Sequence, residues 1–406
     1  MQALQGLRVL DLTVFVQGAL GSAMLADLGA EVIKVDPPGG DPVLGTVASF
    51  GAPQIVDGLD GRTYNVQYET ANRGKLSLCL DLKSGAGREI IERLFTICDV
   101  VVTNLKESTL RKLGIDYEHA CSLKPDVVYV TTSIFGPDGP DSDVAGFDIS
   151  GVSRGGLMYA ASRTGEPVYP VGAIGDVMGA TLTGFAALTG IIARERNGLG
   201  QKIDTSQLGA VTWLQFLALS TVLLTGKEFQ ATGDPLENNP LFSLYECHDH
   251  RWLALAIYQG DRYWGALCDA LGRPDLLDDP RFRDHESRIA NLRDLREILV
   301  TIFAATDFAQ LIEALRAHGV PFSPVNRVSD MVSDSQILAN EYVRELDHPG
   351  LGRVSMPSLP LRMSATPLAP LRPASYPGSD AEHVLSDLCG FGAEEIGSLA
   401  IRGAFG

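Results

Sequence analysis

A chain of 406 residues, 45% hydrophobic and 20% charged, has ordinary globular composition and material for two domains or one large lobed one. Its 33 basic and 50 acidic side chains give a formal charge of −17, which excludes a general nucleic-acid or anionic-membrane surface, because both require clustered cations. The 43 glycines are scattered between apolar periodic stretches and read as tight turns and close packing, not as low complexity.

The first forty residues alternate cleanly. An apolar run over 8–12, a Gly/Ala-rich turn and helix over 18–28, and a second run over 31–35 ending at Asp36 form a β-α-β unit, and parallel strands joined by a helical crossover imply an α/β sheet. The opening MQALQGLRVLDL has no basic stretch leading into an apolar core, so no secretory signal is read and the expected location is cytoplasmic. Short β-rich runs over 76–80, 100–104 and 127–131 alternate with helical patterns such as 85–95. They predict an open, mostly parallel, Rossmann-like sheet in a large domain.

Residues 176–196 carry helical apolar spacing that stops at Asn197-Gly198-Leu199-Gly200, and a strand-like run follows over 201–205. The stretch VTWLQFLALSTVLL over 211–224 is shorter than the about 20 residues of a membrane span and contains Gln215. It predicts a buried or interface helix. Turn residues concentrate over 233–240, and a strand at 253–257 with helices over 262–271 and 292–306 predicts a smaller α+β domain. Past Asp347 the chain is Pro-rich, which favours an extended, semi-rigid path, and it ends in a helix over 380–388. The expected division is a large domain over 1–225, a small domain over 226–335, and over 336–406 an extended return whose terminal helix packs on the large domain.

Each candidate site has a bland counterpart. The opening β-α-β unit with Asp36 suggests nucleotide binding, but only Gly18 and Gly21 occupy the turn, without the GxGxxG pattern, so a sheet-forming unit is preferred. Asn72-Arg73-Gly74-Lys75 before one strand, Asn104-Leu105-Lys106 after another, and Lys112 nearby place cations at strand ends. There they either hold phosphates or are solvated surface charges. Asp176, in GAIGDVMG over 172–179, is an N-cap by position. The helix dipole would hold it ionised, as suits a nucleophile, and the flanking glycines would admit a bulky thioester. His248 and His250 lack a third ligand nearby and read as a hairpin turn between Tyr245 and Trp252. The six cysteines (79, 98, 121, 247, 268 and 389) show no CxxC, which predicts free thiols and no structural metal. There is no GxSxG elbow for Ser/His/Asp hydrolysis.

Taken in order, LADLGAEVIKVDPPGGD, NRGKLSLCLDLK, DVVVTNLKESTLRKLGIDYE, SIFGPDGP, GAIGDVMG and GQKIDTS resemble the class III coenzyme A-transferase family, which includes formyl-CoA transferase, carnitine CoA-transferase and alpha-methylacyl-CoA racemase. The resemblance covers nearly the whole chain. It implies CoA transfer from an acyl-CoA, with succinyl-CoA favoured, to a free carboxylate through an aspartyl anhydride and an aspartyl-CoA thioester. No permanently bound cofactor is implied; the CoA thioester is a substrate. The family's catalytic aspartate matches Asp176, and its CoA contacts match Gln17, Asn72, Arg73, Lys75, Asn104 and Lys112. Thr103-Asn104-Leu105 replaces the family's acidic-aromatic start of that segment, so contacts to adenine or pantetheine are expected to differ. The family also implies an interlocked homodimer, or a heteromer with a related chain, which would account for the Pro-rich return. The racemase branch pairs its aspartate with a histidine in a Gly-His-Asp segment. Here that segment is Gly146-Phe147-Asp148, and because Phe147 cannot exchange a proton, transfer is favoured over racemisation. A non-catalytic CoA-binding subunit is the other alternative, opposed by the retention of Asp176.

Overall fold

Six parallel strands organise the larger part of the computed structural model, which describes residues 1–162, 164–170, 172–229 and 239–406. In chain order, β1 (Arg8–Asp11), α1 (Gln17–Asp27), β2 (Glu31–Asp36), α2 (Val66–Asn72), β3 (Leu76–Cys79), α3 (Gly85–Ile97), β4 (Val100–Thr103), α4 (Glu107–Leu113) and β5 (Val128–Ser133) lead to α5 (Asp148–Arg154). Then follow α6 (Ile174–Asn197), β6 (Gln201–Ser206), α7 (Gln207–Leu214) and α8 (Phe216–Thr225). The strand order is β3-β2-β1-β4-β5-β6, and every pairing is parallel. That is the doubly wound order, whose direction reverses between β1 and β4. The α/β expectation is met.

Strand alternation splits the core into two layers. Leu10, Ile33, Leu78, Val101 and Tyr129 face α3 and the C-terminal Val384, Leu385 and Leu399, whereas Val9, Val32, Val100, Val102, Val128 and Val130 face α1 and α6. Helix α6 has the length and mean hydropathy (1.4) of a membrane span, but Ala186, Ala187 and Ile191 lie in the second layer and Gly190 lets the helix settle on Val128 and Ile203. The glycines of α1 likewise serve packing: a Cβ on Gly21 would lie 2.9 Å from Thr183 of α6.

The chain forms two compact units, one of Met1–Ala161, Pro167–Phe229 and Leu338–Gly406, the other of Ser162–Glu166 and Gln230–Ile337. The second contains an antiparallel sheet of β7 (Leu244–Glu246), β8 (Trp252–Leu255) and β9 (Phe322–Val325) in the order β7-β8-β9, with α9 (Gly260–Ala270), α10 (Leu292–Ala304) and α11 (Phe308–Ala317). Its core includes Trp264, Leu267, Leu299, Phe303 and Leu311. His248 and His250 occupy the β7–β8 hairpin, paired with Asp307 and Glu246 at 3.0 Å each, and among the described residues no acidic, His or Cys group is arranged to hold a metal. All six cysteines are free thiols. Most of the turn-rich stretch 233–240 lies outside the described residues.

Two expectations are corrected. The Pro-rich return is not extended throughout: its first part is the antiparallel hairpin β10 (Val343–His348) and β11 (Gly352–Pro357). His348 pins that hairpin, its Nδ1 accepting from the N–H groups of Gly350 and Leu351 (3.0 Å each) and its Nε2 facing the Glu69 carboxylate at 3.2 Å. The final element is not the 380–388 helix, which is a short π-helical turn over His383–Leu388, but α12 (Ala393–Ile401). The apolar stretch 211–224 divides between two helices: Val211 of α7 is buried, whereas α8 has no buried residue and Leu223 and Leu224 are 73% and 86% exposed.

Candidate active site

Three helix starts converge on the Asp176 carboxyl. Asp176 is not the N-cap of α6; that position is Ala173, in the left-handed region at φ 62. Asp176 lies in the first turn, where its backbone N–H lacks an intrahelical partner. Asp148, the first residue of α5, supplies one: its Oδ1 accepts from the Asp176 N–H at 2.7 Å, while its Oδ2 accepts from the Tyr169 hydroxyl. Gln207, the first residue of α7, donates from Nε2 to Asp176 Oδ1 at 2.5 Å. Asp148 and Gln207 are both buried, and Asp176 is half-buried.

Glycines make this convergence possible. A Cβ on Gly175 would lie 2.9 Å from Asp148 Oδ1, one on Gly151 would lie 2.8 Å from the Gln207 side chain, and one on Gly179 would overlap Gln17. The small residues admit the site's own polar groups. Gln17, at the start of α1, donates from Nε2 to Thr132 Oγ1 at 2.6 Å at the end of β5 and packs on Gly179, one turn along α6 from Asp176.

The electrostatics also differ from the sequence expectation. Helix N-termini favour an anion, yet burial first, and then the neighbouring Asp148 carboxylate, push the Asp176 carboxyl up to about 7, with the Gln207 hydrogen bond pulling the other way. Desolvation and like charge outweigh the dipole. The result is a basic carboxylate that ionises near neutrality, as suits a nucleophile or a proton acceptor.

The remaining sequence candidates separate into scaffold and surface. The Lys75 ammonium is buried and donates to Asp11 Oδ2 (2.7 Å), Ala19 O (2.8 Å) and Asn72 Oδ1 (2.8 Å), which occupies its three protons. Arg73 donates to both oxygens of Asp27 (3.3 and 2.6 Å) and to Thr70 O (2.6 Å). Arg73 and Lys75 are thus both held by partners inside the fold, as a buried cation requires. Asn72 keeps a buried amide nitrogen without a partner among the described residues. Asn104 clasps Val14, accepting from its N–H at 2.9 Å and donating to its carbonyl at 2.7 Å. That clasp ties the segment after β1 to the segment after β4, at the switch point of the doubly wound sheet. Next to it Phe15, at φ 60, meets Phe147 edge-on at 5.3 Å, and Phe147 is 63% exposed immediately before Asp148. Lys112 is exposed on α4.

The sequence did not single out Gln207, Tyr169 or the capping role of Asp148. Gln207 directly follows the GQKIDTS segment, and Asp148 belongs to the Gly-Phe-Asp segment, so both were within reach of motif reading.

Comparison with known proteins gives the family. The chain is 29% identical over 405 residues to the mouse succinyl-CoA:glutarate CoA-transferase, covering 99% of this chain and 90% of that protein. It is 30% identical over 401 residues to the succinyl-CoA–D-citramalate CoA-transferase of Chloroflexus aurantiacus, covering 98% and 97%. The crystal structure of a CAIB/BAIF family protein from Brucella suis superposes with a TM-score of 0.84 at 28% identity, covering 95% of this chain and 99% of that one. The model of CoA-transferase family III matches residues 4–381. With a parallel α/β sheet, a basic carboxylate at converging helix starts and near full-length likeness to named transferases, the chain is a CoA-transferase and belongs to CoA-transferase family III.

Proposed function

We propose that this enzyme carries CoA from succinyl-CoA to a small carboxylic acid, a short dicarboxylate being favoured, with Asp176 as the covalent carrier. The observation that carries the proposal is the Asp176 carboxyl itself, half-buried, raised to about 7 and, among the described residues, bonded on one oxygen only, by Gln207. The two relatives above are both named for succinyl-CoA, which supports the donor; their acceptors, glutarate and citramalate, support the dicarboxylate class.

In the proposed reaction an Asp176 oxygen adds to the thioester carbonyl, the C–S bond breaks, and the electron pair leaves on sulfur as CoA thiolate. The thiolate then attacks the aspartyl carbonyl of the mixed anhydride and expels the donor acid as carboxylate. The acceptor carboxylate reverses both steps, regenerating Asp176 and leaving as acyl-CoA. Each step exchanges activated acyl groups, so no proton is gained or lost overall, and exclusion of water protects the anhydride. Racemisation lacks support: Phe147 stands where that branch uses histidine.

Of the proposed CoA contacts, Gln17 packs one turn along α6 from Asp176, Lys112 presents an exposed cation, Asn72 ends α2 and Asn104 directly follows β4. The proposal also includes an intertwined dimer, homomeric or with a related chain, and a cytoplasmic location. The exposed apolar face of α8 supports the dimer.

The test mixes succinyl-CoA with enzyme in the absence of acceptor, traps with hydroxylamine, maps the modified peptide, and then screens a carboxylate panel by mass spectrometry. Label on Asp176 and turnover with short dicarboxylates are expected. Asp176→Asn should fold, since the amide preserves shape, and should lose at least about a thousandfold in kcat. An active Asp176→Asn free of wild-type protein, or label on another residue, overturns the proposal.

A further inference from the structure

We infer that Gln207 is a second catalytic residue, whose amide holds Asp176 Oδ1 as the spectator oxygen and donates to the oxyanion that forms there when CoA thiolate adds to the aspartyl carbonyl. The inference rests on Asp176 being the nucleophile.

Gln207 is fully buried. Its backbone directly follows β6, which is zipped to β5 from Gln201↔Val128 to Ser206↔Ser133, so the position of the side chain is set by the sheet. The Nε2 group reaches Asp176 Oδ1 at 2.5 Å, whereas Oδ2 carries no protein donor among the described residues. This makes the two oxygens chemically unequal. The unencumbered Oδ2 is the better attacking atom, and Oδ1 becomes the carbonyl oxygen of the aspartyl anhydride.

A second observation points the same way. Among the described residues Gln207 Oε1 is buried without a partner, an unfavourable arrangement in a side chain kept for packing alone. An apolar residue of similar size would avoid that cost and still fill the space over Gly151. A glutamine is explained if its N–H is needed at Asp176. In the thiolate step the sulfur lone pair forms the S–Cγ bond, the carbonyl π pair moves onto Oδ1, and collapse breaks Cγ–Oδ2 to release the donor carboxylate. The hydrogen bond to Oδ1 strengthens as that charge develops and needs no reorganisation, which is how a buried donor accelerates acyl transfer.

The groups acting on Asp176 are Asp148 from the start of α5, Tyr169 from the segment before α6, and Gln207 from α7. Gln17 from α1 and Thr132 from β5 are uncharged neighbours of the next turn. Removing the Gln207 donor therefore leaves the ionised carboxylate less stabilised, and the acid limb of the pH profile must move up.

The test compares wild type with Gln207→Leu and Gln207→Glu. For Gln207→Leu the expected result is kcat lower by about a hundredfold or more, KM for succinyl-CoA within about threefold of wild type, since binding is untouched, and an acid limb of kcat/KM at higher pH. Intact-protein mass spectrometry without acceptor should show the enzyme–CoA thioester forming at least about tenfold more slowly than in wild type. Gln207→Glu keeps the size and adds a third carboxyl, so its acid limb should also rise, which keeps the test valid if the leucine variant does not fold. Wild-type thioester on Asp176 combined with unchanged kcat and pH limb in the folded variant overturns the role of Gln207. A thioester that maps elsewhere in wild type overturns instead the nucleophile assignment on which it rests.

Discussion

Between Asp176 and Asp148 a single hydrogen bond and a charge act in opposite senses. The backbone N–H of Asp176 is satisfied by Asp148 Oδ1, while the Asp148 charge raises the Asp176 carboxyl toward about 7. Asp148→Asn separates the two, because the amide oxygen can still accept that N–H and the like charge is gone. The acid limb of kcat/KM should then move below about 7, measured from initial rates across pH; a limb that stays in place would mean that burial alone holds the group up. The sign for stability follows from the same shift. A carboxyl raised in the folded chain keeps a proton that the unfolded chain has released, so its contribution is fully present below the ordinary carboxylate range. It is lost as pH rises through about 7.

At the scale of elements, α1 against α6 is the contact that brings Gln17 to the Asp176 helix, and it depends on missing side chains. A Cβ on Gly21 would lie 2.9 Å from Thr183 and 3.0 Å from the Ala180 carbonyl, and the latter is backbone that cannot swing aside. Gly21→Ala should therefore destabilise by about 1–3 kcal/mol through overpacking, seen as a lower urea midpoint with an unchanged slope. An unaltered midpoint would show that the helices separate without cost. The C-terminal return is held to the same unit by discrete bonds rather than by a continuous sheet. Gly74 N–H donates to Pro373 O (3.1 Å), Ser375 Oγ to Lys75 O (3.0 Å) and Ser77 N–H to Asp380 (2.8 Å), with the Glu69–His348 pair at the hairpin.

Across the whole molecule, ionised side chains are concentrated inside as well as outside. Lys34 is buried with Asp36 at 2.5 Å and Asp41 at 3.3 Å, and Lys75 with Asp11 at 2.7 Å. The two ammonium groups hold Asp11 well below the usual carboxylate range against its desolvation. This network braces the carboxyl ends of β1 and β2 and the loop carrying Phe15, whose N–H donates to Asp41 at 3.1 Å. The exposed apolar side of α8 has the opposite character, with Leu217 70% exposed beside Leu223 and Leu224, a patch of the kind that marks association. Light scattering at micromolar concentration should give twice the 43.5 kDa chain mass, and Leu217→Lys with Leu223→Lys should shift it toward a single chain. A wild-type monomer would rule the dimer out.

The alternation of apolar runs and helical spacings was enough to place β1 through β6 and α6 within a residue or two, because strand and helix periodicities are local and each element buries one face of itself. The family was also legible, carried by motifs whose residues are close in sequence, and so was the Asp176 segment around which the candidate site is built. The sequence could not tell which cations are internal: Arg73 and Lys75 carry the same charge in a buried pair as on a surface, and only the meeting of α1, α2 and β3 decides. Nor could it show Asp148 and Gln207 beside Asp176, 28 and 31 positions away, since nothing local records which helix starts will meet. That the Asp176 carboxyl is basic instead of held ionised by its helix follows from burial and from Asp148. Both effects exist only once the chain has folded, because desolvation and through-space charge depend on three-dimensional distance and not on order along the chain.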